Sequence, residues 1–270
     1  MREKLRHYLS FFKNQYYQRK MRKFISKTNL TFEKFGTPYG IGVIPKNFLN
    51  SQSICYSAGA GEDISFELEL IKRYGCKVCI FDPTPRAKKH YDELVRRINN
   101  GEMMAINNYS QSQYYSVTPE DLKFCYFNPI GIWSEDKKMK FFPPHNPTHV
   151  SHSLLNLQKT DDYIEVECKK LRNIMSFLGH KKITLMKLDI VGAEYEVIES
   201  LIRDKIYPDI LLIEFDEGAL APQDYCLDNN YFLRIRNAIN NLKSAGYILT
   251  FVDGWHATFI RESLLSADQV

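Results

Sequence analysis

Two short runs in the sequence carry the residue types that a nucleotide site needs. The first is Ser57-Ala58-Gly59-Ala60-Gly61-Glu62-Asp63, which closes the strand-like run Ser53 to Ser57 with two glycines. Glycine permits a tight turn and a close approach of backbone to ligand, and the helix start behind such a turn offers free N–H groups. The second is Asp82, twenty-one residues after Gly61 and at the end of Lys77-Val-Cys-Ile-Phe-Asp82. A carboxylate in that place suits the two ribose hydroxyls of an adenosine. It equally suits the cap of the helix that Thr84-Pro85 opens. No third glycine completes G-x-G-x-x-G and no Lys-Ser/Thr pair follows the turn, so phosphates lack a cradle. An acid at Glu62 or Asp63 would repel a pyrophosphate but would accept a cationic ligand or pair with an amino group. S-adenosylmethionine, with a sulfonium and an α-amino group, is the nucleoside these residues fit.

The elements that must hold these residues follow from the hydrophobic rhythm. Helical spacing covers residues 62–74, where Ile64, Leu68 and Ile71 share a face, and helices are also expected at 193–205 and 231–245. Strand-like runs stand at 124–127, 140–142, 163–166, 183–188, 210–215 and 247–252. Strands alternating with helices predict an α/β domain with a largely parallel sheet, and a ligand site beyond the carboxyl ends of its strands. Residues 4–27 place Leu5, Tyr8, Leu9, Phe12 and Tyr16 three or four apart, which predicts an amphipathic helix. The expected organisation is a basic helical extension, 1–30, and one domain, 31–270.

Three motifs carry a family resemblance. Ser57-x-Gly59-x-Gly61-Glu62-Asp63, Phe81-Asp82-Pro83-Thr84-Pro85-Arg86-Ala87 and Leu185-Met-Lys187-Leu-Asp189-Ile-Val-Gly192-Ala193-Glu194 resemble the FkbM-type methyltransferases over residues 51–252, the third motif being the most specific. The resemblance implies the Rossmann-like class I methyltransferase fold, a seven-stranded mixed sheet with helices on both faces and an antiparallel last strand. It implies S-adenosylmethionine as cofactor, with Ser57, Gly59, Gly61 and Asp63 along its methionine part and Asp82 at the ribose. Asn128 to Trp133, Gly131 included, would border the adenine, and Asp189 would end the fourth strand beside the sulfonium. It also implies O-methylation of a hydroxyl, foremost in a glycan or polysaccharide precursor. A natural-product or nucleic-acid methyltransferase is the enzymatic alternative. The chain departs from the family where Val191 replaces the usual Glu, and this departure prompts a third reading, a scaffold that binds the cofactor without turnover.

Methyl transfer aligns an acceptor oxygen with the methyl and removes the acceptor's proton. Asp189 is the first candidate for that work, and a helix cap is its alternative. Glu214, at the end of Leu211-Leu-Ile-Glu, could converge on the same place, whereas Asp216 and Glu217 are expected to cap or to sit in solvent. The Pro-broken stretch around His145, His149 and His152 would hang over the carboxyl edge of the sheet. His149 or His152 could be the base, since an imidazole titrates near neutrality. A three-histidine metal site is weighed there and set aside, because no carboxylate follows before Asp161. His256 ranks below these. Asn128-Pro129-Ile130-Gly131 has only superficial similarity to the motif of nucleic-acid N-methyltransferases and is discounted.

Charge narrows the partners. The 36 Lys and Arg against 32 Asp and Glu give +4, yet residues 1–30 hold nine bases and one acid. That segment is +8, and the other 240 residues, with 27 bases and 31 acids, are −4. An acidic body argues against nucleic acid as substrate. A sugar or another small hydroxyl-bearing acceptor is expected instead. No apolar run approaches the roughly 18 residues of a membrane span, and charges interrupt the N-terminal stretch that an export signal would need. Six scattered cysteines, Cys76-x-x-Cys79 among them, read as buried reduced thiols, and the expected location is cytoplasmic. For residues 1–30, packing on the domain and contact with an anionic membrane are the two readings.

Overall fold

The computed structural model describes residues 2–106, 113–144, 152–157, 159–217 and 229–269. His145, His149 and Cys226 lie outside them, so the roles considered for the first two histidines, including the metal reading, fall outside the described residues as well.

The chain begins with helix α1 (Arg2–Arg22) and a small hairpin, β1 (Phe32–Phe35) and β2 (Gly42–Pro45). Then come β3 (Ile54–Ala58), α2 (Ser65–Tyr74), β4 (Lys77–Phe81), α3 (Pro85–Asn99), α4 (Pro119–Leu122) and β5 (Cys125–Asn128). Three strands, β6 (Gly131–Trp133), β7 (Lys137–Phe141) and β8 (Ile164–Lys170), form a separate sheet in the order β6-β8-β7. The runs at 140–142 and 163–166 belong there, not to the parallel sheet. The order closes with α5 (Leu171–Leu178), β9 (Leu185–Leu188), α6 (Glu194–Arg203), β10 (Ile210–Glu214), α7 (Asn229–Ser244), β11 (Tyr247–Asp253) and β12 (His256–Arg261).

The main sheet has seven strands in the order β11-β12-β10-β9-β3-β4-β5. All pairs are parallel except those of β12, which runs antiparallel to β10 and β11. This is the mixed sheet with an antiparallel last strand that the class I fold requires. The strand order reverses between β3 and β9, which marks the switch point where α/β sheets hold ligands.

Why the strands stay put is visible in their alternation. Tyr56, Ala58, Cys79, Phe81, Met186 and Leu188 face one core cluster, closed by α5, α6, α7 and the end of α1. Cys55, Val78, Ile80 and Leu185 face the other, closed by α2, α3 and α4. With both faces covered, the central strands must be apolar throughout. Cys76 and Cys79 fall on opposite sides, and the five described cysteines are buried free thiols. Local signals set the helix ends: Thr84 Oγ1 accepts the Ala87 N–H with Pro85 in the first turn, and Gly75, at φ 64°, closes α2.

Candidate functional site

At the carboxyl end of β3 the chain turns through Gly59 and Gly61, both at positive φ (87° and 52°). A Cβ on Gly59 would stand 1.9 Å from the carbonyl oxygen of Asp189, so only glycine lets β9 pass this close to the turn. The Gly59 N–H donates to Phe81 O at 3.0 Å. Asp82 then clamps the turn: its Oδ2 accepts the N–H groups of Ala60 (2.9 Å) and Gly61 (3.0 Å). Its Oδ1 accepts Thr84 N–H and Oγ1–H at 2.9 and 2.6 Å. A carboxylate has about four lone-pair positions, and all four are engaged. The helix-capping arrangement weighed for Asp82 is thus present, and a ribose hydroxyl would have to displace one of these donors.

The other residues expected along the cofactor sort by what their side chains touch. Ser57 turns inward and donates to Glu67 Oε1 at 2.5 Å, beneath the turn. Asp63 accepts from Thr37 Oγ1–H and from Ser65 N–H, tying the β1–β2 connection to α2. Glu62 stays at the rim in a two-pronged pair with Arg86 (2.7 and 2.9 Å). Asn128 donates to Ile80 O at 3.1 Å at the end of β5. Gly131 comes next to Pro83, 3.7 Å from the position its Cβ would take, and Trp133 packs on the small sheet's cluster. The turn and the β4 and β5 ends therefore converge, while Ser57 and Asp63 give their side chains to the scaffold.

Across the switch point the chemistry is different. Asp189 follows β9, and Lys187 Nζ lies 2.9 Å from its Oδ2. Burial pulls the Lys187 ammonium down, but Asp189, Glu67 and Glu214 around it outweigh that and hold it above the usual lysine range. Glu214 ends β10. Burial, with Asp189 and Asp216 beside it, pushes its carboxyl up to about 10. Burial, with Asp189 and Glu217 nearby, raises Asp216 to about 8. One oxygen of Asp216, Oδ1, is buried with no hydrogen-bond partner among the described residues. His256 stands opposite Glu214 in the β10–β12 register, its Nε2 3.5 Å from Glu214 Oε1, and burial lowers its imidazole.

Behind this edge two further acids are structural. Glu194 accepts the N–H groups of Ile190 (2.8 Å) and Gly192 (2.7 Å) and so fastens the turn after β9. Glu217 is fully buried, accepts both bonds from Tyr195 Oη (2.9 and 3.0 Å) and faces Arg234 at 3.5 Å. The expectation that Asp216 and Glu217 cap or sit in solvent is corrected for Glu217, which is buried, while Asp216 is half-buried. The chain leaving β10 turns Glu217 inward, because Phe215 before it is locked by its N–H to Trp255 O and by Tyr231 Oη.

Val191 adopts φ 49°, a conformation that is costly for a β-branched residue. Its carbonyl accepts Ser153 Oγ–H at 2.8 Å, which draws residues 152–155 across the β9 end. His152 rides on that segment with its ring stacked on Phe141, 5.9 Å between centroids. It is thus beside the cleft, with its ring face on Phe141.

Sequence reasoning gave no role to Lys187 or Glu67. The signals were there: a lysine inside Leu185-Met-Lys-Leu188 and a glutamate on the apolar face of α2 must be buried, and buried charges come paired. Among the described residues no three His, Cys, Asp or Glu side chains gather as a metal would need.

The residues present fit S-adenosylmethionine on two counts. The Gly59–Gly61 turn leaves room for backbone approach, and the acidic edge, with an oxygen of Asp216 unsatisfied, suits a cation. One comparison with known proteins agrees. A protein-family model described as "Methyltransferase FkbM domain" matches residues 56–249. Among solved structures, the Methanococcus jannaschii fibrillarin pre-rRNA processing protein is similar at 10% identity, over 79% of this chain and 68% of that one, with a TM-score of 0.39. That likeness is too distant to carry any part of the reading. No curated protein matches the chain.

Proposed function

This chain belongs to the FkbM methyltransferase family and is an S-adenosylmethionine-dependent methyltransferase; from that premise we propose that its acceptor is a hydroxyl group, foremost of a sugar in a glycan or polysaccharide precursor. The observation that carries the proposal is the paired state of the acidic edge: Asp189 held by Lys187 at 2.9 Å, beside a Glu214 whose carboxyl is raised to about 10.

Burial pushes Glu214 towards its neutral form, which can donate a hydrogen bond, while the Asp189 carboxyl held by Lys187 can accept one. A donor and an acceptor side by side can orient a hydroxyl and then take its proton. Sugars present such hydroxyls in rows, and carboxyl groups match them. The cofactor supplies a methyl on a cationic sulfur. Gly59, Gly61 and the Asp82 clamp would hold it, with Glu62, Asn128, Gly131 and Trp133 along its nucleoside. Asp189 Oδ1 or Oδ2 would receive the acceptor's proton as the new bond forms, and Lys187 would keep that carboxylate aimed. Glu214, already protonated, could take that proton only while passing its own to His256, 3.5 Å away.

The test is transfer of labelled methyl to a panel of free sugars, oligosaccharides and lipid-linked sugars. Asp189→Asn should lower kcat by about 10²- to 10⁴-fold while cofactor affinity holds. Cofactor binding without transfer to any polyhydroxylated acceptor would end the sugar reading. Unchanged turnover in Asp189→Asn would end the role of Asp189.

A further inference from the structure

Helix α1 divides its two faces between two environments. Tyr17 and Met21, four apart, are buried at 3% and 0% exposure. Tyr17 stacks on Phe232 of α7 (4.9 Å, 8° between planes) and meets Tyr231 edge-on at 5.9 Å. Tyr231 in turn lies 5.3 Å from Trp255, the residue before His256. The packed end of α1 is therefore anchored beside the carboxyl edge of the main sheet, near the acceptor side of the cleft.

The other face is uncovered. Leu9, Phe12 and Tyr16 follow the i, i+3, i+7 pattern of one helical stripe and are 49%, 65% and 52% exposed, with Phe11 beside them at 54%. Arg19 and Lys23 continue the same stripe and are exposed, and Lys20 Nζ sits 5.1 Å above the Tyr16 ring. No Asp or Glu occurs between Leu9 and Lys23. The packing reading considered for residues 1–30 therefore holds for one face of the helix, and the other face is left open. Among the described residues no helix is long and apolar enough to cross a membrane.

We propose that the Leu9–Phe12–Tyr16 stripe of α1, with Arg19, Lys20 and Lys23, docks this enzyme on an anionic lipid surface, apolar side chains entering the headgroup layer and the bases meeting lipid phosphates and carboxylates. Charge complementarity selects that occupant: residues 1–30 carry +8 on a body of −4, so the helix is drawn to a negative surface that the body would avoid. Aromatic and aliphatic side chains interleaved with bases on one exposed helix face are what an interfacial helix presents to lipid. Because the anchor is beside Trp255 and His256, docking would bring the cleft next to acceptors held in the bilayer. The docking itself does not depend on the sugar reading.

The experiment is flotation of the full chain with phosphatidylcholine vesicles, with and without phosphatidylserine, at low and high salt. The full chain should float with phosphatidylserine vesicles and be released by salt. Phe12→Ser with Tyr16→Ser should abolish flotation, and Arg19→Glu with Lys23→Glu should weaken partitioning by at least about fivefold per base. These positions are exposed, so the thermal midpoint and S-adenosylmethionine affinity should stay as in the parent, which separates lost docking from lost folding. Failure to float, flotation indifferent to phosphatidylserine, or variants that float like the parent would overturn the proposal. So would a dimer that Phe12→Ser dissolves, which would give this face to a second copy of the chain.

Discussion

The two halves of the cleft handle buried polar groups in opposite ways. At the ends of β3 and β4, Asp82 is saturated by four donors and Gly59 leaves no room for a single added carbon. At the ends of β9 and β10, the next two strands across the switch point, Asp189, Glu214 and Asp216 crowd one lysine, and an Asp216 oxygen has no partner among the described residues. In the first half the glycine turn and its Asp82 clamp are closed on themselves, although beneath them Glu67 Oε2, like Asp216 Oδ1, is buried with no partner among the described residues. The second carries surplus acidity that a cation would relieve. A rigid cradle and an electrostatically incomplete edge are what positioning and charge stabilisation respectively require, and the boundary between them falls at the switch point.

The largest expected effect tests the cradle. Gly59→Ala should destabilise the protein by about 3 kcal/mol or more and remove measurable cofactor binding, since its Cβ would meet the Asp189 carbonyl at 1.9 Å. Gly101→Ala is the control: it also has positive φ, 74°, but no atom of the described residues lies within 4 Å of its Cβ, so strain alone should cost about 1 kcal/mol. Denaturant melts of both variants measure the difference. Equal losses would mean that close approach is not what Gly59 provides.

Next comes Asp82→Ala, which leaves three buried or half-buried N–H groups and a hydroxyl without their acceptor. Stability should fall by about 2 kcal/mol, and cofactor affinity by tenfold or more as the turn loosens. Calorimetric titration with S-adenosylmethionine reads the second effect, and unchanged affinity would detach the clamp from binding.

The acidic edge is tested by pH. Asp216, ordinarily near 3.9, is raised to about 8 in the fold, and Glu214 to about 10. Above about pH 4 the folded protein therefore keeps protons that the unfolded chain has released, so stability falls as pH rises. His90, His180 and His256, all lowered by burial, give the opposite slope, but only below about pH 6.5. Melts between about pH 6.5 and 8 read the carboxyl contribution, and Asp216→Asn should lessen the slope while leaving the part that Glu214 supplies. Binding of the cationic cofactor should also release protons, more than binding of neutral-sulfur S-adenosylhomocysteine, as calorimetry in two buffers would show. Equal release would remove the electrostatic distinction between the halves.

The smallest effect belongs to the rim of the cradle. Arg86→Ala breaks a partly exposed pair with Glu62, and stability should change by no more than about 1 kcal/mol. A larger loss would mean that the rim is part of the clamp.

Much of the fold was legible because its central strands are apolar on both faces and end in glycine, proline or acid. Residues 77–82 and 84–85 announce a strand, a stop and a capped helix without help from the rest of the chain. The helix after Gly61 starts later than its periodicity suggests, at Ser65, because Asp63 and Tyr115 take the first N–H groups, Asp63 that of Ser65 and Tyr115 Oη that of Ile64. β12 was not read from the residues, since His256-Ala-Thr-Phe-Ile-Arg261 looks like a tail until Glu214 and its neighbours pair with it. Of the candidate site, Gly59, Gly61, Asp82, Asp189 and Glu214 were readable from their places after strands. Lys187 was given no role although its place inside an apolar strand signals burial, and Asp216 and Glu217 were expected to cap or to sit in solvent because the burial of a residue after a strand depends on what packs around it.

The sequence alone determined the family, the cofactor class and the split of charge between leader and body. Each depends on residue types at short spacings, which local geometry turns into turns, caps and faces. Tertiary structure decided how the carboxylates divide their work: Asp82 and Glu194 to fasten turns, Glu217 to hold Tyr195, and Asp189, Glu214 and Asp216 to share one buried edge with Lys187. It also decided which face of α1 is covered. The reason is physical. A carboxylate's proton affinity and an apolar side chain's exposure are set by neighbours brought from distant parts of the chain, and no local pattern encodes those neighbours.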